Sequence, residues 1–179
     1  MFALFLALSL LVAGDLSPPE FEKTRIENLW SQDNERAAIF KDLTGQEIKW
    51  PPLKGKIIVV SLWATWCSPC IRELSSFEKL YKKYKVDEKE SGIIFMFVSS
   101  ESEESINNLL RKKYYHLPIC ILKSEDFLIK KHNDANNGGR IPATYIIVPE
   151  SNEVYYFVGP AKWDDGSVVE FLNKLLNKN

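Results

Sequence analysis

The sequence predicts an α/β domain in which a sheet is flanked by helices and entered through an N-terminal β-hairpin. Three observations carry that expectation. Ile57-Ile58-Val59-Val60-Ser61-Leu62-Trp63 is a nearly continuous β-branched run, apolar on both faces, as a central strand of a covered sheet must be. Downstream, apolar runs alternate with segments whose apolar residues recur every three or four positions, giving the order βαβαβ(α)ββα. Upstream, Asp42-Leu43-Thr44-Gly45 is a turn signal between two short strands, Ala37 to Phe40 and Gln46 to Trp50.

Composition sets the limits. The chain has 179 residues, 45% of them apolar and 26% charged, with 23 basic against 24 acidic side chains. That apolar content excludes disorder, and eight Gly with nine Pro exclude a collagenous or low-complexity chain. A formal charge of -1 gives no bulk attraction to nucleic acid, so no nucleic-acid partner is expected. A chain of this size buries roughly 70% of its extended-chain surface and holds a core without cross-links. Three cysteines are too few and too uneven for a disulfide scaffold.

Taken in order, Met1 to Ala13 is apolar except for Ser9, and no Lys or Arg precedes it. As a helix it would span about 20 Å, short of the roughly 30 Å hydrocarbon core. Residues 1–14 therefore read as a signal peptide or short apolar anchor, with Ala13 and Gly14 at the place of cleavage, and export across a membrane is expected. Residues 15–36 are a polar, Pro-containing extension of uncertain structure, and residues 37–179 form the domain. Ile71, Leu74, Phe77, Leu80, Tyr81 and Tyr84 place an amphipathic helix just after Cys67. Ile93 to Val98 is a second buried strand. Ser102 to His116 has acids at its start and Arg111, Lys112 and Lys113 near its end, the charge order that suits a helix dipole. Ile119 to Leu122 is a short strand, Ser124 to His132 a short helix, and Asn133 to Arg140 a loop. Ala143 to Val148 and Val154 to Val158 make a hairpin, and Val168, Val169, Phe171, Leu172, Leu175 and Leu176 mark the last helix.

Cys67 and Cys70 stand where the most apolar strand meets the following helix. Two cysteines at this spacing on a helix start can close a small disulfide ring, and the unpaired N–H groups and positive end of the dipole point at the first sulfur. They favour its thiolate, the species that attacks disulfides, over the ordinary thiol of pKa about 8.5. Cys67 is thus the expected exposed, attacking thiol, and Cys70 the shielded, resolving one. Half of a zinc site is an alternative, needing ligands from Cys120, His116 and His132; a structural bridge is another, although so short a loop restrains the unfolded chain little.

The stretch from Gly55-Lys56 through Trp66-Cys67-Ser68-Pro69-Cys70, with Ile141-Pro142-Ala143-Thr144 about seventy residues on, resembles the thioredoxin superfamily. More closely it resembles TlpA/ResA-like extracytoplasmic thiol–disulfide oxidoreductases, from about Ala38 to the C-terminus and including the Asp42 to Gly45 hairpin. The resemblance implies a thioredoxin-like three-layer fold, a central mixed sheet between helices. It implies a cis Pro142 beside the dithiol and main-chain hydrogen bonds from Ile141 to a client, where an ordinary trans proline opening an edge strand would otherwise be expected. It implies an acid near Glu101 shuttling protons to Cys70; the alternative is a solvated acid at the next helix, alongside Glu103 and Glu104. Trp66 is expected to shield the sulfurs and Trp63 to lie in the core. Cys120, in an apolar strand, reads as a small buried hydrophobe. His116 and His132 read as helix-end residues in favourable dipole contact.

The leading function is therefore an exported, periplasmic or extracytoplasmic thiol–disulfide oxidoreductase that reduces client disulfides, with no cofactor and no metal. Ser68-Pro69 lacks the His that further stabilises the thiolate in strongly oxidising relatives, which puts the potential nearer the roughly -270 mV of thioredoxin than the roughly -120 mV of DsbA. The resemblance suggests disulfide-bearing clients such as apocytochrome c and a membrane electron donor. A peroxiredoxin-like peroxide reductase is the runner-up, but it needs Thr or Ser where Ala64 stands and a Pro before Cys67, and none lies between Pro52 and Pro69. A Sco-like copper module would want CxxxC and a downstream His, for which His132 is the sole candidate.

Overall fold

The computed structural model describes residues 16–25, 40–48, 55–85, 92–113, 115–122 and 139–178. Among them, eight strands form one mixed sheet: β1 (Glu22–Arg25), β2 (Phe40–Lys41), β3 (Glu47–Ile48), β4 (Ile57–Leu62), β5 (Ile93–Ser99), β6 (Ile119–Leu122), β7 (Ala143–Val148) and β8 (Glu153–Val158). The helices are α1 (Ser68–Lys85), α2 (Glu103–Lys113) and α3 (Gly166–Leu176), with a 3₁₀ turn at Pro149–Ser151. The strand order is β1-β8-β7-β4-β5-β6-β2-β3. This is the α/β thioredoxin-like arrangement, and β4 runs through its middle, parallel to β5 and antiparallel to β7.

β4 is central because all six of its residues are apolar or small and all six are buried. Ile57, Val59 and Trp63 face one cluster with Leu74 and Phe77 of α1, Ile106 of α2 and Leu172 of α3. Ile58, Val60 and Leu62 face the other, with Met96, Tyr145 and Ile147. Phe77 stacks on Trp163 at 4.4 Å and meets Phe97 edge-on at 4.9 Å, the offset and T-shaped geometries that aromatic quadrupoles favour.

The extension of residues 15–36 is not wholly apart from the domain. Its Glu22–Arg25 becomes β1, antiparallel to β8 at the sheet edge. Sequence periodicity does not reveal it, because Glu-Lys-Thr-Arg is polar on both faces and is held by the main chain. Lys23 pairs with the Glu153 carboxylate, and Tyr156 Oη donates to Glu22 Oε2 at 2.6 Å. Phe21 stacks on Phe171 at 4.7 Å, and Lys162 N–H donates to Ser17 O at 2.8 Å.

At the opposite edge lies the N-terminal hairpin, of which Phe40–Lys41 and Glu47–Ile48 are described; the outer ends of the two expected strands, residues 37–39 and 49–50, lie outside the described residues. Asp42 Oδ1 accepts from Thr44 N–H at 2.8 Å, Thr44 Oγ1 at 2.6 Å and Gln46 N–H at 3.0 Å, the Asx-type closure the turn signal promises. These bonds, Thr44 Oγ1 foremost, hold the Asp42 carboxyl below its ordinary range. α2 stops at Lys113, so His116 lies beyond the helix end expected for it. His132, the Ser124 to His132 helix, the apolar residues 1–14 and most of the 133–140 loop lie outside the described residues. Among the described residues no helix is long and apolar enough to cross a membrane.

Gly92 fixes the approach of α3 to β5. Its φ is +68°, its carbonyl accepts Ile57 N–H at 2.8 Å, and a Cβ there would stand 2.7 Å from Leu176 Cδ2. Gly92→Ala is expected to cost more than about 1 kcal/mol in urea unfolding, from backbone strain and the displaced helix end together. An unfolding midpoint equal to wild type would contradict this.

Candidate functional site

β4 ends at Leu62, and the chain turns through Ala64, Thr65 and Trp66 into α1. Cys67 sits at the mouth of that helix. Its N–H donates to Ala64 O at 3.2 Å, and its carbonyl accepts Ile71 N–H at 3.1 Å, the first helical bond. Its sulfur is bonded to that of Cys70, with S–S 2.08 Å and Cα–Cα 5.3 Å. The Cys70 N–H, one of the helix's unpaired donors, points to Cys67 Sγ at 3.2 Å. Once the bridge is reduced, the same amide faces whatever charge that sulfur carries. The Ser68 to Cys70 turn thus supplies both the partner thiol and an electrostatic cradle for the first one.

Exposure differs from the sequence expectation. Cys67 is the more accessible of the pair but only 5% exposed, and Cys70 is fully buried. The loop ahead of β7 closes over them. Ile141 O lies 3.8 Å from Cys67 Sγ, and the Ile141–Pro142 peptide is cis, as the resemblance implies. Pro142 O accepts Gly159 N–H at 2.9 Å, which ties this loop to the end of β8. Trp66, expected to shield the sulfurs, is instead 74% exposed, whereas Trp63 is buried in the core as expected. The indole of Trp66 had no sequence mark to separate it from a covering residue; only the outward turn after Ala64 does that. A pocket of about 180 Å³ lies between the end of β5, the turn ahead of Cys67 and the Ile141 loop, lined by Trp63, Trp66, Ser99, Glu101, Gly139 and Ile141 but by neither cysteine.

Glu101 is neither free in solvent nor at the head of α2. It is half-buried, and its Oε2 accepts Thr65 N–H at 2.5 Å and Ser99 Oγ at 3.3 Å while Oε1 accepts Thr65 Oγ1 at 2.6 Å. The carboxylate therefore joins the end of β5 to the loop ahead of Cys67.

A second carboxyl escaped sequence reasoning. Glu73, one turn past Cys70 on α1, is 1% exposed. Its Oε2 accepts Ala161 N–H at 3.0 Å and Trp163 Nε1–H at 2.9 Å. Burial pushes its pKa up to about 8 against the pull of those two bonds. In the sequence it looks like any helix-surface acid beside Arg72. The residues that bury it lie some ninety positions away, and no local pattern announces them.

Cys120 is buried, and burial followed by the Asp42 charge pushes its thiol up to about 12. His116 does not serve a helix end: its N–H donates to Glu78 Oε2 at 2.9 Å and its Nδ1 lies 3.2 Å from Oε1. Glu78 also takes Lys82 at 2.9 Å. Among the described residues no three His, Cys, Asp or Glu side chains are placed to hold a metal ion.

Comparison with known proteins agrees with this geometry. Residues 32–156 match the AhpC/TSA family. The chain is 28% identical over 122 residues to a thiol-disulfide oxidoreductase ResA of Bacillus cereus, covering 68% of this chain and 65% of that protein. It is 33% identical over 119 residues to the thioredoxin-like protein YneN of Bacillus subtilis (strain 168), covering 65% of each. The match thus spans just under two thirds of the length of these relatives. Among solved structures, the thioredoxin-family thiol:disulfide interchange protein of Chlorobium tepidum TLS superposes with a TM-score of 0.58 at 22% identity, over 88% of this chain and 97% of that one.

Proposed function

The chain belongs to the AhpC/TSA family, and from that footing we propose that it is an exported thiol–disulfide oxidoreductase of the ResA/TlpA type that reduces disulfides in client proteins. The observation that carries this reading is the Cys70 N–H held 3.2 Å from Cys67 Sγ, at a bridge lying against the Ile141–Pro142 loop.

In the reduced protein the Cys67 thiolate attacks one sulfur of a client disulfide, forming a mixed disulfide and releasing the other client sulfur as a thiolate that takes up a proton. Cys70 then gives up its proton and attacks Cys67 Sγ. The second client thiol leaves, and the Cys67–Cys70 bridge is formed. Two electrons pass to the client, which ends as a dithiol. Glu73 stands one turn from Cys70 on α1, but with its pKa raised to about 8 by burial it already holds a proton at neutrality, so the proton Cys70 releases goes to the departing client thiolate. An extended client segment would lie against Ile141, with the exposed Trp66 ring beside it and Pro142 fixing the loop. Clients such as apocytochrome c, a membrane donor that re-reduces the bridge, and a periplasmic or extracytoplasmic location complete the proposal; they rest on the resemblance and on the apolar residues 1–14.

Insulin-disulfide reduction by the pre-reduced protein tests the reading. Precipitation of the insulin B chain well above the uncatalysed rate is expected, and a wild-type protein no faster than free dithiol overturns it. Equilibration with glutathione or dithiothreitol should place the potential nearer about -270 mV than about -120 mV, for want of a His between the cysteines. A value near the DsbA end would show the protein to be an oxidant.

A further inference from the structure

We propose that Glu101 is a positioning residue, whose carboxylate clamps Thr65 and so sets the turn that delivers Cys67 Sγ to the Cys70 amide. The proposal rests on the thiol–disulfide reading above and replaces a proton-shuttling part for this side chain.

The geometry is that of a two-armed cross-link. Thr65 offers two donors, its N–H and its hydroxyl, and Glu101 takes them on different oxygens, at 2.5 Å and 2.6 Å. Charge-assisted bonds of this kind are about twice as strong as neutral ones, and a two-point contact fixes orientation as well as distance. Glu101 is itself held: Ser99 Oγ donates to its Oε2 at 3.3 Å and its own N–H donates to Ser99 Oγ at 3.3 Å. Ser99 ends β5, whose neighbour β4 ends just before the turn, so the clamp closes a small ring across two parallel strand ends. Thr65 lies two residues before Cys67. Ala64 and Cys67 are packed on either side of the turn, but Trp66 faces solvent, and it is the clamp that ties the Thr65 backbone between them to the end of β5. With three bonds already on its oxygens, the carboxylate is committed to the loop.

A shuttle and a clamp make different demands on the side chain. A shuttle needs an ionisable oxygen pair; a clamp needs hydrogen-bonding atoms in two places. Glu101→Gln keeps the second and loses the first, because an amide oxygen accepts the Thr65 and Ser99 donors while its NH₂ donates to Thr65 Oγ1. Glu101→Ala loses both. The two variants remove the same charge, so the difference between them reports the side chain's bonds and packing and not its ionisation, and the Thr65 variants separate the bonds from the packing.

The test measures iodoacetamide modification of Cys67 across pH in the reduced protein, together with kcat and KM for insulin reduction. Cys120, with its thiol near 12, stays silent in the alkylation. Glu101→Gln should stay within about threefold of wild type in kcat, whereas Glu101→Ala should fall about tenfold with KM little changed and with its alkylation midpoint moved up toward that of a free thiol. Thr65→Val should shift the midpoint the same way by less, Thr65→Ser should not, and Glu101→Ala with Thr65→Val should be no worse than Glu101→Ala alone. Glu101→Gln as impaired as Glu101→Ala, or a wild-type alkylation midpoint in Glu101→Ala, overturns the clamp. Should Glu101→Ala not fold, the Thr65→Val and Thr65→Ser pair decides: equal midpoints overturn it. Failure of wild type to reduce insulin would sink the functional reading instead, and the alkylation series would still judge the clamp.

Discussion

Cys67→Ser is expected to bring insulin reduction down to the uncatalysed background, and Cys70→Ser to leave a protein that reacts once and stays joined to its client. The asymmetry follows from the helix mouth. Only Cys67 Sγ has the Cys70 N–H at 3.2 Å, and only Cys67 has any surface, 5% against none. A serine hydroxyl does not ionise near neutrality, so the Cys67 variant has no nucleophile. In the Cys70 variant the first attack proceeds but no second sulfur can displace the client. Cys120 cannot stand in, since burial and the Asp42 charge keep it protonated up to about pH 12. Mass spectrometry under non-reducing conditions should find one client chain per Cys70→Ser molecule, linked through Cys67. Turnover by Cys67→Ser, or the adduct mapped to Cys120, would refute the assignment.

The stability of the oxidised protein should fall as pH rises from about 5 to about 9, and Glu73→Gln should abolish most of that fall. Burial raises the Glu73 pKa from 4.5 to about 8, so the folded state binds its proton more tightly than the unfolded chain does. The contribution is complete below the unfolded value and is lost as pH climbs through the folded one. Across that window the difference comes to about 4–5 kcal/mol, at about 1.4 kcal/mol per pH unit. A glutamine keeps an oxygen for Ala161 N–H and Trp163 Nε1–H and has no proton to lose. Urea unfolding at a series of pH values, wild type against Glu73→Gln, measures the difference free of the other carboxyls. Parallel curves for the two proteins would mean that Glu73 is ionised in the fold.

Much of the architecture could be read in advance where burial writes a local pattern. The two-sided apolar run at β4, the three-and-four spacing of α1 and the Asp42 turn all declare themselves. So does the dithiol, because its chemistry depends on where a strand gives way to a helix. What escaped depends on distant partners. β1 is polar and pairs through its backbone with β8, more than a hundred residues away. Glu73 carries the signature of a surface acid until Ala161 and Trp163 enclose it. His116 has basic neighbours that suit a helix end, yet Glu78, on another helix, claims it. Cys67 and Trp66 exchanged exposures relative to expectation, because the Ile141–Pro142 loop, not the neighbouring indole, covers the sulfurs.

The leading residues have a bearing on how the acid in the interior behaves. Ser17 O holds Lys162 N–H, and Phe21 lies against Phe171 and 6.1 Å from Trp163, whose indole N–H in turn holds Glu73. A version of the protein that starts after Arg25 would keep the dithiol and every strand from β2 onward, yet lose the buttress behind that indole. Water reaching the loosened cradle would let the carboxyl ionise sooner. The presence or absence of residues 17–21 thus becomes a dial on proton affinity some distance inside the molecule.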